Sequence, residues 1–363
     1  MTYLETFYPH IVKVLDTFYP SMTNSTTGLI ERPDGYGDYA FLPRNGPITY
    51  YNALYILALK RAADLSEMLA SAYETDASRW RSRADGVVNA LIEENYDDEL
   101  GVFVDGGFCD GAKCDAHPQD GNSIAILSGA VDTTAISESI LLFLASALAR
   151  PYGNAFYDTS AISPSDQFNQ RVYAFISYFE LAARFTTSNA TIESAYEELR
   201  RLYGWMSSHD PYSTFWEGIG TGGGLYEGGF TSMAHGWSTG IVPLMINYVL
   251  GVTPTGPGFT TWSIKPLLNS DDLSWARGRV PTPHGPIEVS WEKTGSGLSL
   301  QVKTPEETAG DVSVPFIEEN TKLLQDGKTV YSRSNGNLQR ARVEDGRVVV
   351  RLDTSGSHLF QVE

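Results

Sequence analysis

Glu217 stands in the stretch STFWEGIG, directly after Phe215 and Trp216 and before Gly218. An acid that leaves an aromatic pair into a glycine loop is oriented by rings that also strip water from it, as proton transfer requires. An ordinary surface glutamate beside two core rings would leave the same sequence. The following run, GIGTGGGLYEGG, supplies the backbone freedom of a loop over a cleft, or of a plain surface connection. It lacks the Gly-Lys-Ser/Thr ending and the strand-to-helix frame of a phosphate loop. His235 and Trp237 follow in MAHGWS.

Two upstream stretches have similar chemistry. RPDGYGDYAFLP places Asp34 and Asp38 among Tyr36, Tyr39 and Phe41. Rings of that kind cover the C–H face of a sugar while acids accept its hydroxyl protons, and turn-forming aspartates beside core aromatics fit the pattern equally. HPQDGNS offers His117, Gln119, Asp120 and Asn122 ahead of a helix, where Asn122 serves equally as an N-cap. A serine nucleophile elbow, HExxH and a three-ligand metal spacing are all missing from the sequence. Carboxylates, aromatics and amides on loops remain, the residue types of glycoside hydrolysis by two carboxylates.

The elements that must hold these residues change character along the chain. From residue 1 to about 255 the apolar spacing is helical. PITYYNALYILALKRAADLSEMLASAY predicts one long helix, opened near Pro47, with Tyr51, Leu54, Tyr55, Ala58 and Ala62 on one face. Further helices are predicted in DASRWRSRADGVVNALIEENY, GNSIAILSGA, TTAISESILLFLASALA, QRVYAFISYFELAARF, NATIESAYEELRRLYGWMSS and TSMAHGWSTGIVPLMINYVLG. Long Gly-, Asp- and aromatic-rich connections between them indicate antiparallel helical hairpins with functional loops. Residues 256–363 read instead as short alternating strands with Gly, Asn and Asp turns, an antiparallel β-sandwich.

Composition narrows the partners. With 44 acidic against 26 basic residues the chain carries a formal charge of −18, which repels nucleic acid and anionic membrane and suits a neutral sugar. No apolar run is long enough to span a bilayer. Cys109 and Cys114 lack the further ligands a metal needs, so a local disulfide is preferred over two free thiols. That bond and the sequons at Asn24 and Asn189 point to an extracellular, secreted glycoprotein. The N-terminal stretch MTYLETFYPHIVKVLDTFYP does not read as a signal peptide, so either a leader has been removed or the chain is a piece of something longer.

The blocks DGYGDYAFLPRNGPITYYNALYILALKRAADL, HPQDGNSIAIL, STFWEGIG, SMAHGWSTG and FTTWSIKPLL with LSWARGRVPTPHGPIEVSWE together resemble the α-L-rhamnosidase family of six-hairpin glycosidases, in its fungal secreted form. The resemblance implies an (α/α)6 barrel followed by a β-sandwich, and an inverting hydrolase that removes terminal α-L-rhamnose from a carbohydrate or small-molecule glycoside without cofactor or metal. It implies Glu217 as the general base and places Asp38, His235 and Trp237 at sugar-holding positions, with Asp34, Tyr36, Gln119, Asp120 and Trp216 as further substrate contacts.

One departure bears on mechanism. The family's general acid lies in an Arg-Asp-x-Glu motif followed by Trp-x-Gly-Asp, and no such motif precedes Asp34. The chain therefore reads as the C-terminal part of such a glycosidase, its barrel incomplete at the N-terminus, or as a shortened relative. Acting alone it would need Asp34, Asp38, Asp120 or Glu227 as the acid, with Asp38 the choice. Two other classes stay open, a sugar-binding relative without turnover and a polysaccharide lyase. The lyase ranks last, because an acidic chain attracts a polyuronate substrate poorly.

Overall fold

The structure, a computed structural model, describes residues 2–31, 39, 42–69, 73–109, 111–131, 133–210, 214–295, 297–315, 322–332, 336–337 and 341–362. They form two compact units, Met1–Thr239 and Gly240–Glu363.

The first unit is built from helices α1 (Thr2–Lys13), α2 (Thr49–Glu67), α3 (Glu74–Asn95), α4 (Gln119–Leu127), α5 (Thr134–Ala147), α6 (Ala174–Thr187) and α7 (Asn189–His209). Each even-numbered helix from α2 on pairs with its successor. The even helices also pack on one another, α2 on α4 and α4 on α6, so they make an inner row backed by α3, α5 and α7. This position explains a difference from the sequence reading of α2. Its buried stripe runs through Asn52, Tyr55, Ile56, Leu59, Ala62, Ala63 and Ser66, while Tyr51 and Leu54 are half-buried and Ala58 is exposed. A helix with neighbours on two sides buries a wider face than a single amphipathic stripe. Thr133 caps α5 by accepting a 3.2 Å bond from the Ile136 N–H.

The second unit holds the strands β1 (Val252–Pro254), β2 (Thr261–Ile264), β3 (Trp275–Val280), β4 (Ile287–Thr294), β5 (Gly297–Thr304), β6 (Ala309–Pro315), β7 (Lys322–Gln325), β8 (Lys328–Ser332), β9 (Gly336–Asn337), β10 (Ala341–Glu344), β11 (Arg347–Leu352) and β12 (Gly356–Val362). They form a seven-stranded sheet, β9-β8-β7-β12-β5-β4-β3, and a five-stranded sheet, β10-β11-β6-β2-β1. Alternation buries Val289, Trp291, Leu300, Val302 and Phe360 of one sheet and Trp262, Val312, Val314, Val348 and Val350 of the other, each such side chain contributing roughly 1.5–3 kcal/mol on burial. All pairs are antiparallel except β2 with β6, which run parallel from Ala309↔Thr261 to Val312↔Ile264. Trp262 lies so close to β6 that a Cβ on Gly310 would stand 2.2 Å from its ring, so only glycine fits there.

The composition change at 255/256 and the boundary between compact units at 239/240 differ for a physical reason. The short helix Ile241–Leu244 and its wider continuation Met245–Leu250 are tied to the strands. Trp291 Nε1 donates to the Val249 carbonyl at 2.9 Å, and the Lys265 N–H donates to Gly251 at 2.8 Å.

Candidate active site

The connection after α7 is fixed before any function is asked of it. Ile219 exchanges backbone bonds of 2.8 and 2.9 Å with Val172, just ahead of α6. The Glu217 N–H donates to the Ser232 carbonyl at 2.9 Å and the His235 N–H to Phe215 at 2.8 Å. Ser238 Oγ donates to the Trp216 carbonyl at 2.7 Å, and Trp237 Nε1 to the Glu217 carbonyl at 2.8 Å. Farther along, Gly223 presses on Trp205, whose ring would lie 2.2 Å from a Cβ there. The glycine run is thus anchored at Trp205, whose indole also donates to the Gly223 carbonyl at 2.9 Å.

This backbone leaves the Glu217 carboxylate partly open, with 19% of the side chain exposed. Oε1 accepts from the Tyr226 hydroxyl at 3.0 Å and Oε2 from the Ser232 N–H at 2.9 Å. His235 Nε2 stands 3.6 Å from Oε1, and His235 Nδ1 accepts the Trp237 N–H at 3.3 Å. That bond assigns the ring proton of neutral His235 to Nε2, facing the acid. Burial, and the charge of Glu217 beside it, push the Tyr226 hydroxyl well above the usual phenol range, so it stays a donor. Among the described residues no Lys or Arg forms an ion pair with Glu217. The nearby Arg171 is bridged to Glu227 at 2.8 Å and lies over the Tyr226 ring.

Rings line the same place. Trp237 stacks on Phe175 at 5.5 Å, and Tyr39 meets both edge-on at 6.4 and 5.1 Å. His235 lies 4.5 Å from Trp237, and Tyr226 packs on Tyr173. Trp216, adjacent to Glu217, is buried, with 5% exposed.

The structure therefore gathers Glu217, Trp216, His235 and Trp237. Gln119 and Asp120, expected as sugar contacts, are fully buried and bonded to internal partners. Gln119 Nε2 donates to Glu180 at 2.6 Å. Asp120 is clamped by Arg44 through bonds of 2.6 and 2.9 Å and accepts the Tyr39 hydroxyl at 2.9 Å. The same guanidinium pairs with Asp105 at 2.7 Å, which also accepts the Tyr157 hydroxyl at 2.6 Å. Burial pushes Asp105 up despite Arg44. Asn122 is neither sugar contact nor cap: inside α4, it holds the backbone of Phe103 in both directions at 2.9 and 2.8 Å. Asp34, Tyr36 and Asp38 lie outside the described residues. Cys109 and Cys114 form the expected disulfide.

Sequence reasoning missed Tyr226, Ser232 and Phe175 as site residues, while Tyr39 was among the rings it singled out. Tyr226 had a signal, a lone ring between glycine runs eight to ten residues after an acid. Phe175 had none, because a helix-start aromatic reads as core.

Residues 251–329 match the family described as the bacterial alpha-L-rhamnosidase C-terminal domain. An alpha-L-rhamnosidase of Alteromonas sp. (strain LOR) is 46% identical over 57 residues, 16% of this chain and 6% of that protein. Among solved structures, an alpha-L-rhamnosidase from Dictyoglumus thermophilum is similar over 99% of this chain and 37% of its own, with a TM-score of 0.71 and 17% identity. The Streptomyces avermitilis alpha-L-rhamnosidase, solved in complex with L-rhamnose, is similar over 98% of this chain and 30% of its own, with a TM-score of 0.69 and 18% identity. The fold, helical hairpins followed by a β-sandwich, is shared with these structures. The chain spans well under half the length of each of these relatives.

Proposed function

We propose that the chain supplies the water-activating half of a glycoside hydrolase that releases terminal α-L-rhamnose from a glycoside with inversion. The observation that supports this most is the setting of Glu217: a partly exposed carboxylate, held by the Tyr226 hydroxyl and the Ser232 N–H, without a Lys or Arg partner among the described residues, and beside Trp237, Phe175 and Tyr39. In the reaction, Glu217 takes a proton from a water as that water attacks the anomeric carbon. A second acid, across the sugar and roughly 6.5–9.5 Å away, protonates the departing oxygen. His235 and Trp237 hold the sugar, the indole face against its C–H groups. Glu227 is already bridged to Arg171 and Asp120 to Arg44, so neither is the leaving-group acid. Asp38, next in sequence to Tyr39, is the chain's own candidate, with Asp34 and Tyr36 as neighbouring sugar contacts. The disulfide and the sequons at Asn24 and the exposed Asn189 support a secreted, glycosylated protein.

The test is hydrolysis of p-nitrophenyl α-L-rhamnoside by the chain and by Glu217→Gln, beside a titration with L-rhamnose. The expected result is turnover that falls on the order of 10²- to 10⁴-fold in the variant, with rhamnose binding kept and the released sugar inverted by NMR. Turnover unchanged in Glu217→Gln would overturn the assignment of the base. Binding without turnover in either protein favours the sugar-binding reading instead, which the pairing of Glu227 and Asp120 also supports.

A further inference from the structure

The outward face of the seven-stranded sheet departs from the rest of the molecule in charge. Residues 240–363 hold 12 of the chain's 26 basic residues and only 14 of its 44 acidic ones, so the sandwich is close to neutral on a strongly acidic chain. On β3, β4 and β5 the register sets two rows of outward side chains. One row is Arg279, Glu288 and Lys303, and the next is Arg277, Ser290 and Gln301. They line a groove of about 650 Å³.

The rows are not a closed charge ladder. Glu288 is shared loosely between Arg279 at 3.7 Å and Lys303 at 3.8 Å, with both cations largely exposed. Arg277 forms no ion pair among the described residues. Its guanidinium instead lies over the ring of Trp275, 5.8 Å from the centroid, and that indole is 56% exposed. In these two rows three cations therefore face Glu288 beside neutral hydroxyl and amide groups, and the next row sets the exposed Glu292 across from the solvent-facing ring of Trp275.

We propose that this groove is a second carbohydrate site, independent of rhamnose hydrolysis, that takes an acidic polysaccharide segment bearing uronate carboxylates. The fit follows from the groups present. A guanidinium with no acid of its own offers two parallel donors to a planar carboxylate. Ser290 and Gln301 match sugar hydroxyls, and Trp275 gives a face for a pyranose ring. The repulsion that disfavours a polyuronate belongs to residues 1–239, with 30 acidic against 14 basic residues, whereas the near-neutral sandwich does not oppose a short uronate segment. A nucleic acid, with a charge every few ångströms, is repelled by that acidic part.

The experiment is calorimetric titration of the whole chain with an oligogalacturonate, its fully methyl-esterified counterpart of equal length, and duplex DNA. The acid form binds, the neutral ester binds roughly tenfold more weakly or worse, and affinity for the acid falls with added salt. Arg277→Ala lowers affinity for the acid form by about tenfold with an unchanged melting temperature, since the side chain is exposed. Trp275→Ala lowers affinity for acid and ester alike, as loss of a stacking face requires. No binding by the wild-type chain, unaltered binding by Arg277→Ala, or DNA bound as tightly as the oligogalacturonate would each overturn the proposal.

Discussion

Asp120 and Glu217 are two acids with aromatic neighbours in the folded unit, and they have opposite fates. Asp120 is fully buried and both its oxygens are taken by Arg44. Glu217 stays partly open and is held by a phenol and a backbone N–H, with the His235 ring 3.6 Å away. Residue type and nearby rings do not separate them. What separates them is the charge of the partner, since a guanidinium neutralises an acid into structure, whereas neutral donors orient it and leave it able to accept a proton.

The largest expected effects attack each acid at its own task. Glu217→Gln lowers hydrolysis on the order of 10²- to 10⁴-fold and leaves the urea unfolding midpoint nearly unchanged, because its partners are neutral. Arg44→Met does the reverse to stability. It leaves Asp105 and Asp120 buried without their cation, at a cost of about 3–5 kcal/mol in urea unfolding. Adding Asp105→Asn and Asp120→Asn to that variant restores much of the loss. A triple variant as unstable as the single one would show that Arg44 acts through packing on Tyr157 and Phe156 rather than through charge.

A smaller effect follows from the other buried acids. Burial, and then the neighbouring Glu180, push Glu198 up to about 7 against the pull of Arg201. Between the ordinary glutamate value of about 4.5 and this raised one, the folded chain keeps a proton that the unfolded chain has lost. Stability therefore falls as pH rises through that window. Asp97 works at the other end. The Leu100 N–H holds it below the usual range, so its contribution is lost as pH falls through the folded value. Unfolding midpoints measured from pH 3 to 8 are expected to peak on the acid side of neutral. Glu198→Gln flattens the decline above the peak, and a decline of unchanged steepness in that variant would assign it to other groups.

How much of this was legible in the sequence depends on distance along the chain. Trp216, Glu217, His235 and Trp237 lie within 22 residues, and Tyr226 and Ser232 fall in the same stretch, so most of the site is concentrated in one short segment. Asp120 and Arg44 are 76 residues apart, and nothing in HPQDGNS announces a buried guanidinium, so Asp120 read as a sugar contact. The helices and strands were legible because periodicity is local. The parallel pair β2–β6 was not, because it joins strands 48 residues apart through others that intervene. The wide buried face of α2 escaped for a related reason: a helix between two partners obeys both, and only the fold names the second.

The smallest effect tests the comparison most finely, through two tyrosine hydroxyls that each donate to one of the two acids. Tyr39 donates to Asp120 at 2.9 Å and Tyr226 to Glu217 at 3.0 Å. Tyr39→Phe removes a donor from a fully buried carboxylate that Arg44 still neutralises. It is expected to cost roughly 1–2 kcal/mol of stability while kcat changes little, since the ring stays against Trp237 and Phe175. Tyr226→Phe removes a donor from a half-open carboxylate that water reaches. Its stability cost is smaller, and the loss appears in kcat, about three- to tenfold, with KM nearly constant because the acid is less firmly aimed at its water. If the two variants exchanged these readouts, Asp120 would be the acid that chemistry uses, and the contrast between a neutralised acid and an oriented one would fail.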